Sequence, residues 1–503
     1  TTGVNNTLIG ALAGDALTDA DYNVSLGAYT LTGDTLGSKS TAIGYAALQT
    51  QNFTTATDSF NTAVGAYAGV AVTTGINNTL IGAESGDAIT DADHNTALGF
   101  RSLSTNVLGS RSVALGAGSL FAQNPATAVD MYNVGIGYEA GVAVTTGIKN
   151  TLIGGLAGDA ITTGANNIAL GFEALSTNTG SNGNVAIGYE SLETFNVTSD
   201  TTTFNTAVGT QAGKAMTTGV ENTLIGGLAG DVLTDADYNV AVGSGALSAD
   251  TLGSRSTAVG VFALNEQNFT TATDNYNTAF GFYAGRKITT GIQNTFIGGL
   301  AGDATTDAAH NVAVGYAALT ADTLGSRSVA IGQSALYTQN FTTATNGYNT
   351  AVGDAAGYSV STGVQNTFVG AQAGDGTDDG AYNVAVGYNA LSANCGNQNT
   401  ALGENSLAAA TGTTNTALGA AAGYGVTSGS NNCFVGQQAG RTGSPGGNIT
   451  TGSNEIVLGD ENITEAHIQV DWTIASDQRD KTDVEPMEMG LDFVNKLEPV
   501  TYK

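Results

Sequence analysis

NTLIG at 6–10, NVSLG at 23–27, STAIG at 40–44 and NTAVG at 61–65 are the segments that decide how this chain folds. Each opens on Asn or Ser, carries three mostly apolar residues and closes on Gly. Twenty-five such pentads lie between Asn6 and Gly436, and a looser copy, NEIVLG, follows at 454–459. The first residue is Asn in 21 of them and Ser in four, and the fifth is always Gly. Spacings of 17, 17, 21 and 17 residues repeat and sum to a superrepeat of 72, before degenerating to 16, 16 and 17. Fixed self-similarity of this kind marks a solenoid.

The apolar run is three residues long and rich in Val, Ile, Leu and Ala. It never extends into the i, i+3, i+4, i+7 stripe of an amphipathic helix, so each pentad reads as a short strand buried on both faces. In NVAIG at 184–188, Val185 and Ile187 point one way and Ala186 the other. The expectation is that Val185 and Ile187 fill the inside of the coil. The small alanine face would then pack on sister subunits around a shared axis. Gly at the fifth position permits positive φ or close backbone approach. Asn at the first tolerates the left-handed region and can bond its own backbone at a turn, and stacked turns would align these side chains into a ladder. The pentads that follow each 21-residue spacing carry these structural roles: Asn61 and Gly65, Asn133 and Gly137, Asn205 and Gly209, Asn277 and Gly281, Asn349 and Gly353. The fold class is all-β: a parallel β-roll or β-solenoid shaft over 1–459, a β-like neck over 460–475 and a short α-containing segment over 476–503.

Composition narrows the function. The chain has 503 residues, with 71 Gly, 4 Pro, 41% apolar and 11% charged residues. Regularly spaced apolar residues distinguish it from a disordered chain. A net charge of −29 repels nucleic acid and keeps a long fibre soluble. No run of 18 apolar residues occurs, which argues against membrane insertion. The sequence begins inside a repeat without a visible signal peptide, so the natural N-terminus is expected upstream. Cys395 and Cys433 are too few for a disulfide framework. Cys433 is expected in a core slot, Cys395 in a connecting segment, and both read as small apolar fillers, with a disulfide bridge as the alternative.

Asp clusters recur in GDALTDADYN at 14–23, GDAITDADHN at 86–95 and GDVLTDADYN at 230–239. Asp19, Asp21, Asp91, Asp93, Asp235 and Asp237 are spaced like half a calcium loop. The sixth position is Val24 rather than Gly, however, and no bidentate Glu stands at the twelfth. The equivalent turn GDAITTGANN at 158–167 lacks these carboxylates, so they read as structural. No cofactor is expected. The 21-residue turns carry QNFTTATDSFN at 51–61, EQNFTTATDNYN at 266–277 and QNFTTATNGYN at 339–349, with paired aromatics such as Phe269 and Tyr276. These rings would recur every fourth turn, about 19 Å apart at ~4.8 Å per turn. They either fill a wider corner of the coil or grip glycans or other fibres. His94, His310 and His467 are dispersed, and no phosphate loop, zinc cluster or nucleophile elbow appears.

SVALG at 112–116, NVAIG at 184–188 and SVAIG at 328–332 resemble the head repeats of YadA-like trimeric autotransporter adhesins. That resemblance covers about 1–459 and implies a left-handed parallel β-roll with three chains side by side. SDQRDKTDVEPMEMGLDFVNKLEPVTYK at 476–503 resembles the opening of the peptidase S74 intramolecular chaperone of endosialidases and phage tail fibres. Ser476, Asp477, Arg479 and Lys481 carry that pattern, followed by an expected helix with Met487, Leu491, Val494 and Leu497 on one face. The resemblance implies autocleavage, with Ser476 as nucleophile and Lys481 as its base or polariser. The family domain continues beyond Lys503, so a truncated or uncleaved form is expected.

Near-identical turns can pair one turn or one superrepeat out of register at little cost. A C-terminal clamp that trimerises first would set the register. The combined reading is a homotrimeric bacteriophage tail fibre in the virion. Its partners are a host-cell surface receptor, glycan or protein, and other tail or baseplate proteins. Nothing points to an enzyme acting on external substrates. The alternative is a bacterial cell-surface trimeric adhesin.

Overall fold

Each pentad forms a three-residue strand from its second to its fourth position, as in Thr41–Ile43, Thr62–Val64 and Thr79–Ile81. The computed structural model describes residues 2–469. Twenty-six strands stack into one continuous parallel sheet, and the last of them is Ile456–Leu458. The chain is thus a parallel β-solenoid of about 25 turns. Its compact unit spans Thr1–Asp460, and a second unit comprises Glu461–Lys503. Residues 461–469 carry no strand, and the neck residues Val470, Trp472 and Ile474 lie outside the described residues, as does the expected helix.

Equivalent pentad positions stand in line along the whole stack. Ala42 lies opposite Ala63 across a 21-residue spacing, and Ala385 opposite Ala401 across a 16-residue one. Insertions and deletions are absorbed by the turns, because shifting a ladder by one residue would turn every side chain to the other face.

The face assignment is the reverse of the sequence expectation. The middle residue of each strand points inward: Ala42, Ala97 and Ala186 are fully buried. The flanking pair points outward, so Val185 and Ile187 are half-buried while Leu98 and Leu170 are exposed. The alanine is small because the turn supplies the bulk. Leu48, four residues after Gly44, is buried in the same core as Ala42. Where the middle residue is instead Leu80, the corresponding turn position is Gly86. A Cβ there would stand 2.7 Å from the Leu80 side chain. Where both positions are small, as at Ala63 and Gly69, Leu48 and Leu80 of the adjacent turns fill the space, so large and small residues interdigitate at close-packed density. Cys433, at the second position of its pentad, is likewise half-buried on the outer face rather than in the core, whereas Cys395 is buried.

The closing Gly is required by the backbone. Gly65 has φ +143°, and a Cβ on it would lie 2.4 Å from the carbonyl oxygen of Gly82 in the next turn. Gly137, Gly209, Gly281 and Gly353 repeat this, with φ between +136° and +143°. The left-handed residue at the pentad entry is the one before Asn, such as Phe60 (φ 48°), not the Asn itself. The Asn side chain bonds neighbouring backbone rather than its own. Asn61 Oδ1 accepts from the Asn78 amide at 2.9 Å, and its Nδ2 donates to the Gly75 carbonyl at 2.7 Å. Asn133, Asn205, Asn277 and Asn349 do the same toward Asn150, Asn222, Asn294 and Asn366. Direct amide-to-amide contacts are longer, 3.3 Å from Asn150 to Asn133, so the ladder is chiefly side chain to backbone.

Candidate functional site

The five 21-residue turns are where the coil departs from its minimal form, and each builds a corner. In four of them a second, two-stranded parallel sheet forms beside the main one, pairing for example Gly37–Ser38 with Thr57–Asp58 and Gly253–Ser254 with Thr273–Asp274. Beneath the corner lies a buried polar network. Gln267 Nε2 donates to Asp250 Oδ2 at 2.6 Å and to Ser256 Oγ at 2.8 Å, and its Oε1 accepts from Asn277 at 2.9 Å. The Gly253 and Phe269 amides donate to Asp250 Oδ1 at 3.1 and 3.0 Å. Burial pushes the carboxyls of Asp250 and Asp322 above the usual range, and these hydrogen bonds only partly oppose it. The same arrangement joins Gln51 to Asp34, Ser40 and Asn61.

This network accounts for the four pentads that open on Ser. Ser40, Ser112, Ser256 and Ser328 each precede a long turn whose Gln occupies the space an Asn side chain would need. The signal was present in the sequence as a pairing of Ser with Gln eleven residues on.

Above the network the paired aromatics of the long turn divide their work. Phe53, Phe269 and Phe341 are buried at 5% exposure and fill the corner. Phe60, Tyr276 and Tyr348 are about half exposed. They belong to the column of left-handed residues that precede each Asn, and a basic residue stands beside them one turn earlier. Arg255 lies 4.8 Å from the Tyr238 ring and 5.8 Å from that of Tyr276, and pairs with Asp274 at 3.0 Å. Lys39 pairs with Asp58 at 2.6 Å beside Phe60, and Arg111 with Asp130 at 2.9 Å.

The Asp clusters tie adjacent turns together. Asp21, Asp93 and Asp237 accept from the amides of Val4, Ile76 and Val220 at 2.7–2.8 Å. Asp19 and Asp235 accept from the hydroxyls of Thr2 and Thr218. Asp91 takes part in no such bond to the turn before it. No group of three or more metal-ligating side chains occurs among the described residues. No helix among them is long and apolar enough to cross a membrane.

A third surface runs the length of the solenoid. The outward second and fourth pentad positions form a continuous stripe of Thr, Val, Ile, Leu and Phe, with Cys433 near its C-terminal end, and Leu98, Leu170, Phe280 and Leu418 are each more than 40% exposed. The strip leaves apolar side chains exposed along the whole stack of rungs.

Ser476 and Lys481 lie outside the described residues, so their geometry is not part of this site. Residues 476–503 match the family model described as "Chaperone of endosialidase" (Peptidase_S74). No curated protein matches the chain. A β-solenoid joined to a chaperone-of-endosialidase segment fits a phage tail fibre-like extracellular protein.

Proposed function

We propose that this chain is the shaft of a homotrimeric bacteriophage tail fibre that serves host-cell attachment. The observation that carries the reading is the chaperone match at 476–503, C-terminal to a solenoid of near-identical rungs that ends at Leu458. Such a shaft needs a device that fixes register, because parallel pairing between distant segments is slow and leaves sticky edges exposed. The chaperone segment would trimerise first and align the three shafts. Ser476, supported by Lys481, would then release it by autocleavage.

The surface that joins the subunits in this reading is the outward apolar stripe. A partner that covers 26 successive rungs must carry the same rise per rung, and a second copy of this chain does. The Phe280–Phe282 region and the exposed leucines would meet their counterparts there, as the hydrophobic centre of an obligate interface. The far end of the fibre would join other tail or baseplate proteins, and the surface receptor on the host would be a glycan or a protein. The pentads' likeness to adhesin heads supports a bacterial surface adhesin as the second reading. Neighbouring genes decide between them: baseplate genes support the virion.

Light scattering on the purified protein should give three times the chain mass. A monomer would overturn the trimer. Removing 476–503, with any residues that follow it in the natural protein, should give misregistered aggregates. Soluble trimers of the correct mass would overturn the clamp. Ser476→Ala should leave assembly intact and abolish release of the tail, seen as one band in place of two on a denaturing gel.

A further inference from the structure

We infer that the corner column of exposed rings and paired cations is a binding strip for a neutral polysaccharide lying along the shaft. This rests on the attachment reading above and names both the surface and the ligand class. The column consists of the residues before the Asn or Ser that opens each pentad, all held in the left-handed region by the stacked turns. Three successive positions read ring, cation, ring in four of the five superrepeats, the third having Asn166, Gly183 and Phe204 instead: Tyr22, Lys39 and Phe60 in the first, Tyr238, Arg255 and Tyr276 in the fourth. His94, Arg111 and Tyr132, and His310, Arg327 and Tyr348, repeat the same order.

Several observations converge on a sugar. The rings are solvent-facing, with Tyr22 at 55%, Tyr132 at 50% and Tyr276 at 51% exposure, and they are not needed as corner filler, a role taken by Phe53, Phe269 and Phe341. Flat apolar rings beside groups that donate and accept hydrogen bonds suit a pyranose, which has apolar C–H faces and a hydroxyl rim. Each cation is already fixed by an acceptor. Arg111 and Arg255 pair with Asp130 and Asp274, and Arg327 donates to Asn346 at 3.2 Å. Arg111 and Arg255, neutralised by their carboxylates, offer directional hydrogen bonds without net charge, Arg327 on its amide partner keeps its charge, and the chain's −29 disfavours an acidic glycan. The rings sit on rungs locked by backbone bonds, Arg255 N to Asp237 O at 3.0 Å among them, so little side-chain freedom is lost on binding. Arrays stand about 19 Å apart within each of two pairs, at ~4.8 Å per turn, a spacing that favours a repeating polymer over a single small ligand.

The test uses the full chain against immobilised neutral polysaccharides (mannan, galactan and glucan) and uronic-acid polymers of matched length. Replacing Tyr22, Phe60, Tyr132, Tyr238, Tyr276 and Tyr348 by Asn should reduce binding to a neutral polymer by about 100-fold or more, through lost avidity. Asn already occupies this column at Asn5, Asn77 and Asn166, so the backbone accepts it, and unchanged mass and circular dichroism verify the fold. A parallel set changing the five tyrosines to Phe should bind as the original does. The inference is overturned if no neutral polymer binds, if uronic-acid polymers bind better, or if the Asn set binds like the original. Binding of both proteins to whole bacterial envelopes separates the two claims. Equal adsorption by the original and the Asn set overturns the strip and leaves the attachment reading standing, whereas adsorption by neither to any envelope overturns both.

Discussion

The third and fourth long turns solve the same problem with different residues. Both span 21 residues and both keep the main sheet in register, Val185 opposite Thr206 and Thr257 opposite Thr278. The fourth corner is built on Asp250, Arg255, Ser256 and Gln267. The third has Asn178, Gly183, Asn184 and Phe195 at the positions 72 residues earlier. With Phe195 in place of the glutamine, no buried carboxylate is needed, and Asn184 returns to the ladder, accepting from the Asn205 amide at 3.1 Å. The second sheet shrinks to one bridge, Asn182 to Thr202. An ion cluster of Lys214 with Glu190 and Glu193 stands on the neighbouring turns. The comparison teaches that the main ladder fixes the backbone, while the corner's contents exchange as a set.

The largest effect should come from mixing the two sets. Gln267→Phe alone would strand the buried Asp250 carboxylate and should cost about 3 kcal/mol or more of local stability. Hydrogen exchange of the amides over 253–274 reads this directly, and unchanged protection would break the argument that the residues form one unit. Next, Phe195→Gln should cost roughly 2 kcal/mol, because Asn184 blocks the space and no Asp awaits the amide. Adding Asn184→Ser and Asn178→Asp should recover most of the loss. A triple variant as unstable as the sum of its parts would show that the positions act independently.

A smaller effect sharpens the electrostatic side. The carboxyl of Asp250 titrates higher folded than unfolded, since burial disfavours its charged form. Its contribution to stability is therefore complete below the unfolded value and is lost as pH rises through the folded one. Protection factors of the fourth corner, corrected for intrinsic exchange, should fall from acid toward neutral pH relative to the third corner. Asp250→Asn should flatten that difference, as Asn106 in the second corner illustrates by serving the Gly109 amide at 3.0 Å without a charge. A pH profile unchanged by the substitution would refute the assignment. Smallest of all, Arg255→Gln at the exposed ion pair should move stability by less than about 0.5 kcal/mol, measured by thermal melting.

The strands and their parallel stacking were legible because Asn and Gly bracket every one of them. The Gly corner could be read for a physical reason: at φ +143°, with a carbonyl 2.4 Å from any Cβ, no other residue fits. The facing of the strands was not legible from the pentad alone. Ala42 and Leu48 share the core, and only the turn residue reveals that the small side is the inner one. The same partial view placed Cys433 in the core, although its neighbour Phe434 is the buried residue. The long turns were recognisable as special. Separating buried Phe269 from exposed Tyr276, however, required knowing that the residue before Asn is left-handed and points to solvent.

The superrepeat has a consequence for how such a shaft changes over generations. Each 72-residue block begins and ends on the same pentad type, so loss or duplication of a block by recombination between near-identical gene segments creates no new junction. Reach would then vary in steps of about 19 Å, at ~4.8 Å per rung, with packing preserved at every step. Length becomes a counted, heritable quantity that selection can adjust without redesigning a single contact.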